Sequence, residues 1–209
     1  MSVDIEDQQF TTPASAAALD RAATALTEHG FAVEVLDDPA AARARVRELI
    51  APGATALTAA SETLRLSGIE ADINESGRYD PVRPRVLAMD RATQLDQIRR
   101  AMSTPDVIVG SVHAVTEEGS LVIASGSGSQ LPGFAGGAGR AIWVVGAQKV
   151  VPDLALGLRR VEEHCLPLES ERAMRVYGMR SAISRLLILN REPVPGRGTV
   201  LLLREVIGF

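Results

Sequence analysis

Two stretches of this 209-residue chain gather residues able to do chemistry. The first is Ser125, Gly126, Ser127, Gly128, Ser129 and Gln130, running on into Gly133, Gly136, Gly137 and Gly139. Glycine reaches positive φ without steric penalty, so successive amide N–H groups there can turn toward one point. Such a nest, with serine hydroxyls added, suits a phosphate or a carboxylate. The spacing has neither the Gly-Lys-Ser/Thr of a Walker loop nor a regular Gly-x-Gly-x-x-Gly opening a helix, so a nucleotide loop is not indicated. A plain surface turn is the alternative, since glycine clusters are ordinary turn chemistry. The second stretch, Thr116-Glu117-Glu118-Gly119, sets two carboxylates beside a turn glycine. Glu117 and Glu118 are candidate acid–base groups; read structurally, the same residues are a solvated hairpin tip. Lys149 follows the apolar run AIWVVG and would bring a cation to a strand's carboxyl end, where open α/β sheets bind ligands. A solvated surface lysine is the alternative.

The remaining reactive side chains point to less. His29, His113 and His164 share no metal-ligand spacing, so no metal site is expected. His29 and His164 read as helix-end residues, and only His113, close in sequence to the acidic turn, has a functional case beside its structural one. Cys165 is the single cysteine. It excludes an internal disulfide and a thiolate cluster within the chain, and it suits a reducing compartment. A Ser-His-Asp nucleophile elbow is absent.

These groups need a scaffold, and the hydrophobic pattern supplies one. A flexible arm is expected over residues 1–12, then a single α/β domain over 13–209. Helices are expected over 14–29, 40–50, 61–67, 91–102 and 152–165. Strands are expected over 31–36, 54–58, 86–89, 106–110, 112–116, 121–124, 141–146, 186–189 and 199–203. Asp37, Asp38 and Pro39 are a helix start, and residues 72–84 read as an exposed connection. DVIVG and AIWVVG are continuous apolar runs, the mark of strands covered on both faces. The alternation predicts an α/β fold with a Rossmann-like, mostly parallel sheet and helices on both faces. An antiparallel ribbon near 112–124 and the final pair of strands would be added to it.

Composition sets the outer limits. At 46% hydrophobic residues the chain can bury a substantial core, and at 3% aromatic residues that core must be aliphatic. A formal charge of −4, with scattered basic residues, argues against a nucleic-acid partner. No apolar run approaches the ~20 residues of a membrane helix. The opening residues are acidic and polar, unlike a secretory leader, so a cytoplasmic protein is expected.

Three blocks resemble a known family. Ala59-Ala60-Ser61-Glu62-Thr63-Leu64, residues 112–122 (VHAVTEEGSLV) and residues 144–154 (VVGAQKVVPDL) occur in the order found in the LUD-domain family, of the lactate utilisation protein C type. The first block adds Ser61 to the candidate site residues. The resemblance implies the fold of the ribose-phosphate isomerase and CoA-transferase superfamily. It also implies a place among several subunits that oxidise L-lactate to pyruvate, with iron–sulfur clusters on partner subunits and no cofactor within this chain. Where the family often carries Asn-Arg, this chain has Ser129-Gln130, and the cysteine cluster some relatives carry is missing from residues 172–184. Three readings follow: a partner-dependent subunit binding a small anionic metabolite, a stand-alone isomerase or CoA-transferase-like enzyme acting on a phosphorylated sugar or acyl-CoA, and a non-catalytic regulator or scaffold. Oligomerisation is compatible with each.

Overall fold

The computed structural model describes residues 9–209. The expected flexible arm therefore lies largely outside the described residues; near its end, Phe10 is buried at 3% exposure. Ser15 accepts from the Ala18 amide and starts helix α1 (Ala16–Glu28). Gly30, at φ 92°, turns the chain into β1 (Ala32–Leu36). Asp38 caps and Pro39 opens α2 (Pro39–Leu49), which leads to β2 (Thr55–Thr58).

The next stretch departs from expectation. After α3 (Glu62–Leu66), Gly68 sits in the left-handed region at φ 76° and starts a second helix, α4 (Ile69–Glu75). A two-residue strand β3 (Asp80–Pro81) and helix α5 (Val82–Leu87) follow. Residues 72–84 are thus not a plain exposed connection, and Val86 is helical rather than the start of a strand. Pro84 is compatible with α5 because the amides of a helix's first turn have no intrahelical partner to lose.

Helix α6 (Leu95–Ser103) leads into β4 (Val107–Gly110). The hairpin β5 (Ala114–Thr116) and β6 (Leu121–Ser125) comes next, then β7 (Arg140–Val145). A single turn, Ala147–Lys149, joins β7 to β8 (Val150–Val151). The expected 152–165 helix is α7 (Leu154–Arg160), continued by a wide turn over Val161–Cys165 into an unforeseen helix, α8 (Leu166–Tyr177). Strands β9 (Arg185–Leu189) and β10 (Gly198–Leu203) complete the chain.

Six strands form one sheet in the order β1-β10-β7-β4-β2-β3, every pairing parallel. A second, mixed sheet has the order β8-β5-β6-β9. The final two strands do not form the expected pair. β9 joins β6 antiparallel, whereas β10 inserts between β1 and β7 in the parallel sheet. Its sequence, GTVLLL, is apolar at successive positions because both faces are covered.

Alternate residues divide that cover into two cores. Ala141, Trp143, Val145, Val200 and Leu202 face α1, Phe134 and the inner side of the second sheet. Ile142, Val144, Leu201 and Leu203 face α2, α3 and α4. A third cluster packs Ala114, Val122 and Val151 against Val161 and the apolar side of α7. The second sheet is therefore clamped between the main sheet's layer and α7. Trp143 anchors the first core, with Phe134 at 5.5 Å and Phe31 at 6.0 Å between ring centroids.

Candidate functional site

Parallel strands put all their carboxyl ends on one edge of the sheet. The turn after β7 carries Lys149 there, and its side chain is 1% exposed. Its Nζ lies 3.0 Å from Thr63 Oγ1 and 3.0 Å from Ser111 Oγ. It donates also to the main-chain oxygens of Val112 (3.3 Å) and Phe209 (2.8 Å). Thr63 follows β2, Ser111 and Val112 follow β4, and Phe209 follows β10, so all four loops at the centre of the sheet meet on one amine. Gln148 fastens the last of these: its Nε2 donates to the Ile207 and Gly208 carbonyls. Burial first, then charge repulsion from Arg160, bring the Lys149 pKa down to about 7, with Cys165 acting in the opposite sense.

Arg160, wholly buried, lies behind this cage. Its guanidinium donates to the His113 carbonyl at 2.5 Å, approaches Cys165 Sγ at 3.0 Å and reaches the Phe10 carbonyl at 3.4 Å. Its Nε has no partner among the described residues. Neither Arg160 nor Lys149 has an Asp or Glu side chain as partner among the described residues. Unpaired buried cations are costly, several kcal/mol each after relaxation. Burial pushes the Arg160 pKa down and the Cys165 thiol up.

His113 stands between these cations and the serine–glycine turn. Its Nδ1 accepts the Ala124 amide at 3.1 Å, leaving the proton of the neutral ring on Nε2. Burial first, then Lys149 and Arg160, hold its pKa down to about 3, so the ring is neutral at pH 7. The His113–Ala124 bond also brings two expected regions together. Val112, which accepts from Lys149, precedes His113, and Ala124 precedes Ser125.

The 125–129 segment is a compact turn with much of its polarity internally paired. Ser125 Oγ accepts from the Gly128 amide at 2.8 Å, Ser127 Oγ accepts from the Ser129 amide at 3.3 Å, and Gln130 Oε1 accepts from both Ser125 and Ser129 hydroxyls. Arg185 lies across it, donating to the Gly126 and Ser127 carbonyls at 3.5 and 3.2 Å. Gly128, at φ 77°, passes so close that a Cβ there would stand 2.7 Å from the Arg185 side chain. The glycines farther on have a packing role. Gly133 faces Ile108, Gly137 passes main-chain oxygens too closely for a Cβ, and Gly139 lies tight against the Asp106 oxygen. Buried Arg197 binds the carbonyls of Gly133, Phe134 and Ala138, and pairs with Glu192 at 2.6 Å.

The other expected residues stand apart from the lysine cage. Glu117 is paired with Arg21 of α1 at 2.5 Å, and Glu118 is exposed at the hairpin tip. Roughly 16 Å of extended strand separates Val112 from Glu117, so His113 and the acidic turn occupy opposite ends of β5. Gly119, at φ 84°, presses on the end of α1, with His29 Nδ1 3.0 Å from its carbonyl oxygen. Ser61 caps α3 by accepting the Leu64 amide at 3.4 Å. No group of three or more His, Cys, Asp or Glu side chains is placed to hold a metal ion among the described residues.

Thr63, Ser111, Arg160 and Arg185 are members of the site that residue patterns did not indicate. Ser111 ends an apolar strand, the position rule that drew attention to Lys149, and Thr63 lies two residues from Ser61. Arg160 carries no such signal. At the end of an amphipathic helix it reads as a solvated cation, and only packing shows otherwise.

An open parallel sheet with polar side chains gathered at its carboxyl edge defines a Rossmann-like α/β protein. Comparison with known proteins narrows this. The model of the LUD domain matches residues 19–185, and the chain belongs to that family. It is similar in fold to a crystal structure of a DUF162 family protein from Deinococcus radiodurans, with a TM-score of 0.55 and 14% identity over 91% of this chain and 99% of that one. A search of curated proteins finds no match. No helix among the described residues is long and apolar enough to cross a membrane.

Proposed function

We propose that this chain binds a small carboxylate, a 2-hydroxy or 2-oxo acid such as L-lactate or pyruvate, at the carboxyl edge of its main sheet. It would do so as a partner-dependent subunit in oxidation of the 2-hydroxy acid. The observation that carries this reading is the pair of buried basic side chains, Lys149 and Arg160, with no Asp or Glu side chain among the described residues to balance them. An anion held nearby recovers part of what their burial costs. The Ser125–Ser129 turn and Arg185 supply hydroxyls and a third positive group, linked to the cage through the His113–Ala124 hydrogen bond. Family membership supports the choice of acid, because the LUD domain is associated with lactate utilisation. The electrons would leave through iron–sulfur clusters on partner subunits.

Thermal unfolding with added ligand tests the binding. L-lactate or pyruvate should raise the midpoint with concentration, by mass action worth about 2.7 kcal/mol at a hundredfold excess over Kd. Neutral lactamide should not. An equal response to lactamide, or none to either acid, overturns the reading; stabilisation by a sugar phosphate or CoA alone points to the stand-alone enzyme instead. Purification from the native host should bring iron–sulfur proteins with the chain, and a chain that always purifies alone argues against the partner.

A further inference from the structure

The hydrogen bonds around Lys149 have a property that simple charge burial does not require. Two acceptors, the Val112 and Phe209 main-chain oxygens, need a proton from the amine in either charge state. The other two, Thr63 and Ser111, are hydroxyls that can accept or donate. A neutral amine therefore gives its two N–H groups to the main-chain oxygens and turns its lone pair to a hydroxyl. An ammonium uses its third N–H for the same hydroxyl. The neutral form needs only that the Ser111 hydroxyl turn its hydrogen from the Val112 oxygen, 3.4 Å away, to Nζ, and no Asp or Glu side chain among the described residues is hydrogen-bonded to Nζ. Exposure selects which hydroxyl communicates with solvent. Thr63 is fully buried, whereas Ser111 is only partly buried.

We propose that Ser111 and Lys149 form a serine–lysine dyad that accepts an acyl group from an activated ester or thioester. Ser111 Oγ attacks the carbonyl carbon and forms the new C–O bond while Nζ takes the hydroxyl proton. The bond from that carbon to the leaving oxygen or sulfur breaks, and Nζ returns the proton to the leaving group. Water then attacks the acyl-serine, again giving its proton to Nζ, and the C–O bond to Ser111 breaks as Oγ regains a proton. The sum is ester plus water giving acid plus alcohol, with no other reactant. The same dyad logic recurs where a lysine replaces histidine as the base. Ser111 suits the role by place as well, at the carboxyl end of β4 in the middle of the sheet. This inference does not rest on carboxylate binding, and either can fail without the other.

The test uses the whole chain with p-nitrophenyl acetate. A burst of p-nitrophenolate is expected, with the acetyl group located on Ser111 by peptide mass spectrometry. The burst rate should climb with pH and level off above about 7, the Lys149 value. Arg160, Cys165 and His113 also face this region; the first stays charged, the thiol ionises higher, and the imidazole is neutral throughout. Ser111→Ala should abolish the burst, Ser111→Cys should keep an acyl acceptor, and Lys149→Arg, which retains the cation but cannot release its proton, should slow it a hundredfold or more, ~10² being the low end for a general base. Acetyl found only on other residues, a burst surviving Ser111→Ala, or a rate without an inflection near 7 overturns the dyad. If Lys149→Arg does not fold, the two Ser111 variants and the pH profile decide the matter.

Discussion

His113 illustrates how a side chain's surroundings override its intrinsic chemistry. The unfolded chain takes up a proton on this imidazole near the ordinary 6.5, whereas the folded chain resists it until about 3 because burial, Lys149 and Arg160 all oppose the charge. Between those values the unfolded state binds more protons, so stability from this group is present above 6.5 and is lost as pH falls toward 3. His113→Asn keeps an acceptor for the Ala124 amide and removes the titration. Urea unfolding of that variant should show a flatter dependence between pH 3 and 6.5, by up to about 1.4 kcal/mol per pH unit. An unchanged slope would show that His113 takes its proton in the folded state. Lys149 obeys the same sign at higher pH: the unfolded chain binds its proton up to about 10.5, the folded one to about 7, and stability rises with pH between them.

At the scale of elements, the glycine-rich stretch divides into two devices. Its first part, 125–129, is a serine-laced turn beside Arg185; its second, 133–139, is a tight chain passage fixed by Arg197. Arg197 and Glu192 expose 8% and 6% of their side chains. Arg197→Met leaves Glu192 as an unpaired buried charge and frees three carbonyls, so chemical denaturation should show a loss of about 3–5 kcal/mol. Replacing Glu192 by Met in the same chain should recover part of it. Most elements were legible from pattern: the helix start at Asp38 and Pro39, and the apolar strands, are local features. The misreadings came where local signals conflict. Gly68 looks like a helix stop but is also a restart, and Pro84 argued against a helix whose first turn tolerates it. The helix Leu166–Tyr177 opens on Leu166-Pro167, and its proline occupies the turn that costs no hydrogen bond.

For the molecule as a whole, the decisive feature is that a strand from near the chain's end occupies the interior of the main sheet. β1 and β7 each hydrogen-bond to β10, and without it they have no common neighbour. Deleting residues 198–209 removes Val200, Leu201, Leu202 and Leu203, all fully buried and each worth about 1.5–3 kcal/mol. Circular dichroism should then show no cooperative unfolding transition, and retention of a sharp one would mean the remaining strands close the gap. The same deletion strips the Phe209 oxygen from Lys149, so the site and the fold depend on a common segment.

The amino-acid pattern alone determined that this would be an α/β chain of the LUD family with a parallel, doubly covered sheet. Periodicity, caps and the three family blocks are written in neighbouring residues. It also marked Lys149 as a cation at a strand end, because strand ends follow from the run of apolar residues. Tertiary structure decided the rest. Whether Lys149 is solvated or enclosed depends on Thr63, Ser111 and Phe209, residues 86, 38 and 60 positions away, and no local pattern encodes such a meeting. Arg160 loses its solvent to the packing of α7 on the second sheet, and β10 finds its place through neighbours far from it in sequence. Desolvation is a property of assembled layers, and it is desolvation that makes these groups chemically different from the same side chains on a surface.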